Sequence, residues 1–436
     1  MVWPSPAPSP DEGAHLVKTL PDVPSGLVYD PYDYELDDDP HPTWKRLRDE
    51  APLYYNDRHD FYALSRYEDV FRGLLDWRTF SSAHGTVLEL IRPDSQADEQ
   101  RGQFSGLGAM IFNDPPGHDI ARQIVNREFT PKKVAHLERR IRQLCDQFLG
   151  AVEGRSEFDF MGDFAARIPP MVIGQMLGVP EENQEQLGRW VDMFMHYDPD
   201  AETGDTIQGV MQFSETRVEG STKLSAYMAD IIEQRNQKPE DDMLSMLLSA
   251  DAELADGTIR KLDPGEVQGF FMLLQSAGSE TTARLAGWSA VLLARHPDQR
   301  AKLLEDRGLI PNAVEELLRY EAPSPVQARL VTKDVELYGV TVPAGAKMAL
   351  LNGSAGRDER KYPNPDVFDV EREMDRHLTF GYGPHFCLGA ALARLEGVAI
   401  IEAMLDHHPA WEVDEARIEM VHTTTVRGPA HVPVRV

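Results

Sequence analysis

The segment from Asp263 to about Ala294 limits the possible folds more than any other part of the chain. Asp263-Pro264-Gly265-Glu266 is a strong helix start. Asp263 can cap, Pro264 suits the first turn, and Glu266 can reach back to complete a capping box. From Val267 onward the segment is long and mostly apolar, with Phe270-Phe-Met-Leu-Leu274 near its beginning and Trp288 to Leu293 near its end. A helix apolar on nearly all faces is buried. No stretch of the chain reaches the roughly 18 apolar residues of a membrane span. This helix is therefore expected to run through the middle of a large globular body. Yet it contains Ala277-Gly278-Ser279-Glu280-Thr281-Thr282. A glycine inside a helix costs about 1 kcal/mol relative to alanine. A buried carboxylate costs more unless it is paired, and threonine can bond the carbonyl one turn back and bend the helix. Together they predict a local distortion that makes room for something and provides a path for protons.

The rest of the chain reads as helix around that axis, with a small β region. Pro42 to Glu50 is a short helix, Leu53 to Leu64 a hairpin, and Tyr67 to Leu75 a helix. Ser81 to Asn113 is a long glycine-containing loop, and a loop of that length in a compact enzyme is usually functional. From Pro116 to about Leu248, helix succeeds helix. The one opened by Pro131 carries Val134, Leu137, Ile141, Leu144 and Phe148 at helical spacing. Helices also start near Pro297 and Pro311 and run from Ala390 to Leu405, and Val326 to Leu351 alternates with turn signals. The predicted fold class is mostly α with a small β region. The expected division is a proline-rich tail over residues 1–25, which holds six prolines, and one large domain over residues 26–436.

Charge narrows the partners. With 44 basic and 72 acidic residues the net charge is −28. A body this acidic is a poor ligand for nucleic acid or an anionic membrane surface. The first residues lack a basic n-region and an apolar run, so no signal peptide is read there and a cytoplasmic location is expected. The two cysteines, Cys145 and Cys387, cannot form a disulfide framework or a CxxC pair. Cys145 lies beside an apolar stripe and reads as a small core residue.

Cys387 sits in Phe380-Gly-Tyr-Gly-Pro-His-Phe-Cys387-Leu-Gly389, directly before a helix. Glycines permit tight turns and close approach of backbone to a flat partner. The helix N-terminus is expected to favour the thiolate. A lone thiolate on a rigid loop is either a nucleophile, with His385 as a possible base on spacing alone, or a metal ligand. Zinc would need several soft ligands, whereas heme needs one axial cysteine. Separately, Glu316-Leu-Leu-Arg319 places an acid and a base on one helix face.

These segments together resemble the cytochrome P450 family. Its cysteine-loop pattern, FGxGxHxCxG, is filled by Phe380, Gly381, Gly383, His385, Cys387 and Gly389. Its acid–alcohol pattern is matched by Ala277, Gly278, Glu280 and Thr281, and its Glu-x-x-Arg pair by Glu316 and Arg319, with Arg372 as the third member. The four motifs stand in family order and cover roughly residues 110 to 430. The resemblance implies the P450 fold, heme b (iron protoporphyrin IX) as cofactor and Cys387 as its proximal iron ligand. It implies propionate contacts from His118, Arg122, Arg329 and His385. Position 117 is Gly where an acidic residue is common in the family, and position 119 is Asp where Thr is common.

The resemblance further implies a monooxygenase that uses O2 and two electrons, with Glu280 and Thr281 helping to deliver protons. Glu316, Arg319 and Arg372 would be structural. By family position the substrate pocket would draw on Val87, Leu88, Leu90 and Leu107 from the long loop and on Leu273, Ser276 and Ala277 from the central helix. Val326, Gln327, Thr424 and Val426 complete that set. Met193, Phe194, Met195, Met211 and Phe213 read either as a pliable lid or as ordinary helix core. Electrons must arrive from outside, from ferredoxin and ferredoxin reductase. From Arg122 to Arg142 there are seven basic residues and two acidic ones. Arg127, Lys132, Lys133, Arg139 and Arg140 are thus expected to dock an acidic ferredoxin. The expected reaction is C–H hydroxylation of a fatty acid, isoprenoid or sterol-like lipid by a monomer. The alternatives are oxidation of a polyketide or other secondary metabolite, or a non-catalytic ligand-binding protein on the same fold.

Overall fold

The computed structural model describes residues 20–91, 106–195, 215–422 and 425–436. It is mostly helical with a small β region, as the sequence predicts. The central helix spans Pro264–Arg295 and carries the capping box read from sequence: Glu266 N–H donates to Asp263 at 2.9 Å, and Asp263 N–H donates to Glu266 at 3.0 Å. Leu107 N–H also donates to Glu266 at 2.9 Å, so the cap anchors the 3-10 turn Leu107–Phe112 across the helix start.

Most apolar side chains of the helical body form one core around this axis, and Cys145 is fully buried within it. The helix Ala390–His407 packs on both the central helix and Glu138–Ala151. The single helix expected from Pro131 is instead two pieces, Pro131–Val134 and Glu138–Ala151, joined by the 3-10 turn Ala135–Leu137. No helix among the described residues is long and apolar enough to cross a membrane.

Five strands form the main sheet: β1 (Leu53–Asn56), β2 (Phe61–Leu64), β3 (Phe80–Ser81), β4 (Gln327–Val331) and β5 (Lys347–Leu350). Their spatial order is β1-β2-β5-β4-β3. The β2–β5 pair is parallel, with Phe61 opposite Lys347, and the others are antiparallel. Leu27, Tyr29, Trp44 and Leu47 pack with this sheet as a second core, so the chain is already tightly packed from Leu27. A hairpin, Glu419–His422 with Arg427–His431, lies against the central helix.

Candidate active site

The cysteine loop is held by backbone geometry that glycine permits. Gly381 and Gly383 adopt φ of +69° and +70°, and a Cβ on Gly383 would stand 3.0 Å from the Leu74 carbonyl. Cys387 N–H closes the loop on the Phe380 carbonyl at 2.8 Å. Side chains fix the loop to its neighbours. Arg394, one turn into the next helix, stacks on the Phe380 ring and forks onto Glu315 at 2.6 and 2.9 Å. Thr379 Oγ1 donates to the Leu318 carbonyl at 2.6 Å.

The expected bias of Cys387 toward thiolate is not found in the protein alone. Burial raises its thiol above the ordinary value, and the Gly389 amide, Arg122 and Arg394 do not overcome that. The loop shapes the site, and a bound metal cation would favour the thiolate.

Cys387 opens onto a cavity of about 1420 Å3 of atom-free space, mouth included. Every residue assigned to cofactor binding from the sequence lies in its wall: His118, Arg122, Ala277, Gly278, Arg329, Phe380, Gly381, His385, Cys387 and Gly389. The sequence spreads these from His118 to Gly389, and the fold brings them together.

The chemistry of the wall fits heme. On one side stand four basic side chains. Arg329 is fully buried, and burial pulls its guanidinium down to about 10. It donates to the Ala328 carbonyl at 2.7 Å, and Arg122 donates to the Pro384 carbonyl at 3.3 Å. Neither arginine has a carboxylate within ion-pair reach among the described residues. His118 and His385 lie with ring centroids 4.3 Å apart, and the His385 Nε2 is buried without a partner. Burial first, then Arg329, His118 and Arg122, push His385 far below its usual range. Buried cations without counter-charges are costly. A flat ligand bearing two carboxylates would give both arginines a counter-charge and both imidazoles a hydrogen-bond partner. The departure at position 119 has a local effect. The Asp119 carboxylate takes the His118 Nδ1 side at 3.1 Å, which leaves Nε2 for the ligand.

The central helix passes the cavity as one unbroken α-helix, so the predicted distortion is absent. Thr281 Oγ1 donates to the Ala277 carbonyl at 2.9 Å and Ser279 Oγ to the Gln275 carbonyl at 2.6 Å. Gly278 admits a neighbouring helix: its Cβ would stand 2.7 Å from Ile173 Cγ1. Thr281 lines the cavity, whereas Glu280 is outside the wall and ion-paired with Arg284 at 3.1 Å.

Glu316, Arg319 and Arg372 form the triad the sequence implies. Arg319 forks onto Glu316 at 2.6 and 2.7 Å, and Arg372 reaches the same carboxylate at 3.1 Å.

The pocket residues expected from the sequence are only partly in place. Leu273, Ala277 and Gln327 line the cavity, but Val87, Leu88, Leu90, Leu107, Ser276, Val326 and Val426 do not. Leu88 and Val326 are spent on the second core, beside Leu27 and Tyr29, and Leu107 belongs to the main core. Ser276 is turned about 100° from Ala277 on the helix. Thr86, Met110, Ile111, Ile173, Pro323 and Ser324 stand in the wall instead. Thr424, Met211 and Phe213 lie outside the described residues.

The basic segment is partly neutralised. Arg140 pairs with Glu181, Arg142 with Glu138 and Glu402, and Arg127 and Lys133 share Glu128. Lys132 and Arg139 are exposed, with no ion pair among the described residues.

Residues 90–428 match the family model described as Cytochrome P450. The chain is 37% identical to the putative cytochrome P450 123 of Mycobacterium tuberculosis, over 94% of this chain and 97% of that one. It is 35% identical to the vitamin D(3) 25-hydroxylase of Pseudonocardia autotrophica, over 91% and 93% of the two chains. The crystal structure of CYP109E1 from Bacillus megaterium in complex with testosterone superposes with a TM-score of 0.80 at 29% identity, covering 92% of this chain and 99% of that one. With the cysteine loop, the basic cluster and the fold all in agreement, the chain belongs to the cytochrome P450 family of heme monooxygenases.

Proposed function

We propose that this protein hydroxylates a lipid-like molecule of the sterol, isoprenoid or fatty-acid kind, using O2 and electrons from a ferredoxin. The observation that supports this most is the cavity in front of Cys387, whose wall away from the four basic side chains is mostly apolar, with Met110, Ile111, Ile173 and Leu273, and carries hydroxyl and amide groups such as Thr86, Thr281, Ser324 and Gln327. The relatives named for vitamin D(3) hydroxylation and for a testosterone complex favour the sterol member of that set.

In this reading Cys387 binds the iron of heme b, and Arg122, Arg329, His118 and His385 hold its two propionates. When bound, the heme supplies the oxygen-activating chemistry. The chain's own task is to bind, orient and supply protons. Ala277 and Gly278 offer a flat stretch of helix to the cofactor. Apolar side chains exclude water from the substrate, and Glu280 with the Thr281 hydroxyl moves protons toward the cavity.

Two measurements test this. A reduced–CO difference spectrum of the purified protein should show the thiolate-ligated band; its absence would sink the heme–thiolate assignment. A spectral-shift screen with steroids, fatty acids and terpenoids, with product analysis using ferredoxin, reductase and NAD(P)H, identifies the class. A shift by fatty acids alone would remove the sterol preference, and binding without product would favour a ligand-binding role.

Electron entry is proposed at the exposed part of the basic segment, where Lys132 and Lys133 precede, and Arg139 stands in the first turn of, the helix Glu138–Ala151 that packs on Ala390–His407. Reversing these three charges to glutamate should slow reduction by ferredoxin about tenfold at low salt and flatten its salt dependence. The fold should hold, because all three are exposed and the one ion pair given up, Lys133 with Glu128, lies at the surface. Stopped-flow reduction at several ionic strengths checks this, and rates equal to the parent protein would exclude the surface.

A further inference from the structure

Glu280 and Thr281 are neighbours in sequence but face different surroundings. Thr281 stands in the cavity wall. Glu280 is turned away from it, and its Oε2 accepts from Arg284 Nη2 at 3.1 Å, one helical turn on. The pair is nearly enclosed, with side-chain exposures of 14% for Glu280 and 9% for Arg284. Arg284 is itself held in place. Its Nη1 donates to the Pro429 carbonyl, on the strand Arg427–His431. That strand lies hard against the helix at this level. A Cβ on Gly428 would stand 2.7 Å from Arg284 Cβ and 3.0 Å from the Trp288 indole nitrogen. The guanidinium is wedged between helix and strand, so it has few alternative rotamers.

On a surface, such an i,i+4 pair exchanges partners freely and contributes little. Here both members are enclosed and one is tied to a third group. A carboxylate so placed has its position dictated by its partner. We propose that Arg284 is a positioning residue of the oxygenation reaction. Fixed by the Pro429 carbonyl, it sets where on the central helix the Glu280 carboxylate stands, and so how well protons reach the Thr281 side of the cavity. This rests on reading Glu280 and Thr281 as the proton-delivering pair.

The overall balance shows where an error in position would appear. Hydroxylation consumes the substrate C–H, O2, two electrons from NAD(P)H by way of the carrier, and two protons, giving the alcohol and water. If protons arrive out of step, the same two electrons and two protons leave with O2 as hydrogen peroxide, and the substrate is unchanged. Arg284 therefore acts on the division between product and peroxide rather than on substrate binding.

The test uses the holoenzyme, with the compound that gives most product in the screen of steroids, fatty acids and terpenoids. Arg284→Gln should raise the peroxide share about threefold or more, with the substrate titration unchanged. Arg284→Lys, which keeps the charge without the fork, should recover part of the loss. The double variant E280Q/R284Q should be no worse than E280Q. Infrared difference spectra give a second reading: the carboxylate band that vanishes in E280Q should shift in R284Q. If R284Q does not fold, Arg284→Met is read in the same way, since it keeps apolar bulk without the charge. A parental peroxide share and an unmoved band in R284Q, or an equal further loss in the E280Q background, would overturn the proposal. If E280Q itself fails to raise the peroxide share, it is the reading of Glu280 as proton donor that falls.

Discussion

Replacing Cys387 by alanine will abolish the thiolate-ligated CO band and lower product formation by about 10³-fold or more, on the order of 4 kcal/mol of lost transition-state stabilisation. The expectation comes from the wall of the cavity. Cys387 is the only cysteine there among the described residues, and Cys145 is fully buried in the main core, where burial pushes its thiol up to about 12. No second thiol can take over. The loop itself should survive, because its closing contacts are the Cys387 N–H to Phe380 bond and the Arg394–Glu315 fork, neither of which uses the sulfur. The variant should therefore unfold near the parent midpoint when both are compared without heme. Retention of the CO band in C387A would mean that another group ligates the iron.

Removing Arg319 will cost about 3–5 kcal/mol of stability, the usual penalty for stranding one member of a buried ion pair. Glu316 and Arg319 are both 0% exposed. Arg319 also donates to the Gly356 and Pro365 carbonyls, each at 2.8 Å. In Arg319→Ala the Glu316 carboxylate keeps Arg372 and the Asp369 N–H but loses its two shortest bonds. Two backbone carbonyls lose their donor as well. Arg319→Lys should recover little, since an ammonium cannot match the planar fork and both carbonyls together. Arg372→Ala should cost less, about 1–2 kcal/mol, because Arg372 is less deeply buried and Glu316 retains Arg319. Urea unfolding checks the order of these effects. An Arg319→Ala variant as stable as Arg372→Ala would contradict it. Such losses also bear on function, because Glu315, next to Glu316, and Leu318, next to Arg319, hold the helix after the cysteine loop and the segment leading into it.

The parts of the site legible in the sequence are those whose chemistry is unusual for their local structure. Glycines and a proline around a cysteine before a helix make a loop that is poor at packing and good at presenting one sulfur. A carboxylate beside Gly278 in an apolar helix is likewise costly unless the site uses it. The pocket wall was less legible for a definite reason. Val87, Leu88, Leu90 and Val326 are apolar and lie near the right places in the chain. Apolarity alone does not say which of two cores a side chain joins, and Leu88 and Val326 join the one around Tyr29. Val326 stands just before β4 and packs into that core, whereas Gln327, the first residue of β4, faces the cavity. Arg284 stands in the helix at a visible i,i+4 spacing from Glu280. What gives that spacing weight is the Pro429 carbonyl, 145 residues away, which no local pattern announces.

The parallel pair β2–β5 carries a consequence for biosynthesis. Phe61 is translated long before its partner Lys347, with the whole helical middle of the chain between them. Until then the β1–β2 hairpin, with Phe61, Tyr62, Ala63 and Leu64 all buried in the finished molecule, has an open edge and uncovered apolar faces. Such an edge is a ready template for pairing with another nascent chain. The demand for chaperone protection should thus be greatest while the long helical middle is being made, and should fall once β4 and β5 emerge to cover it.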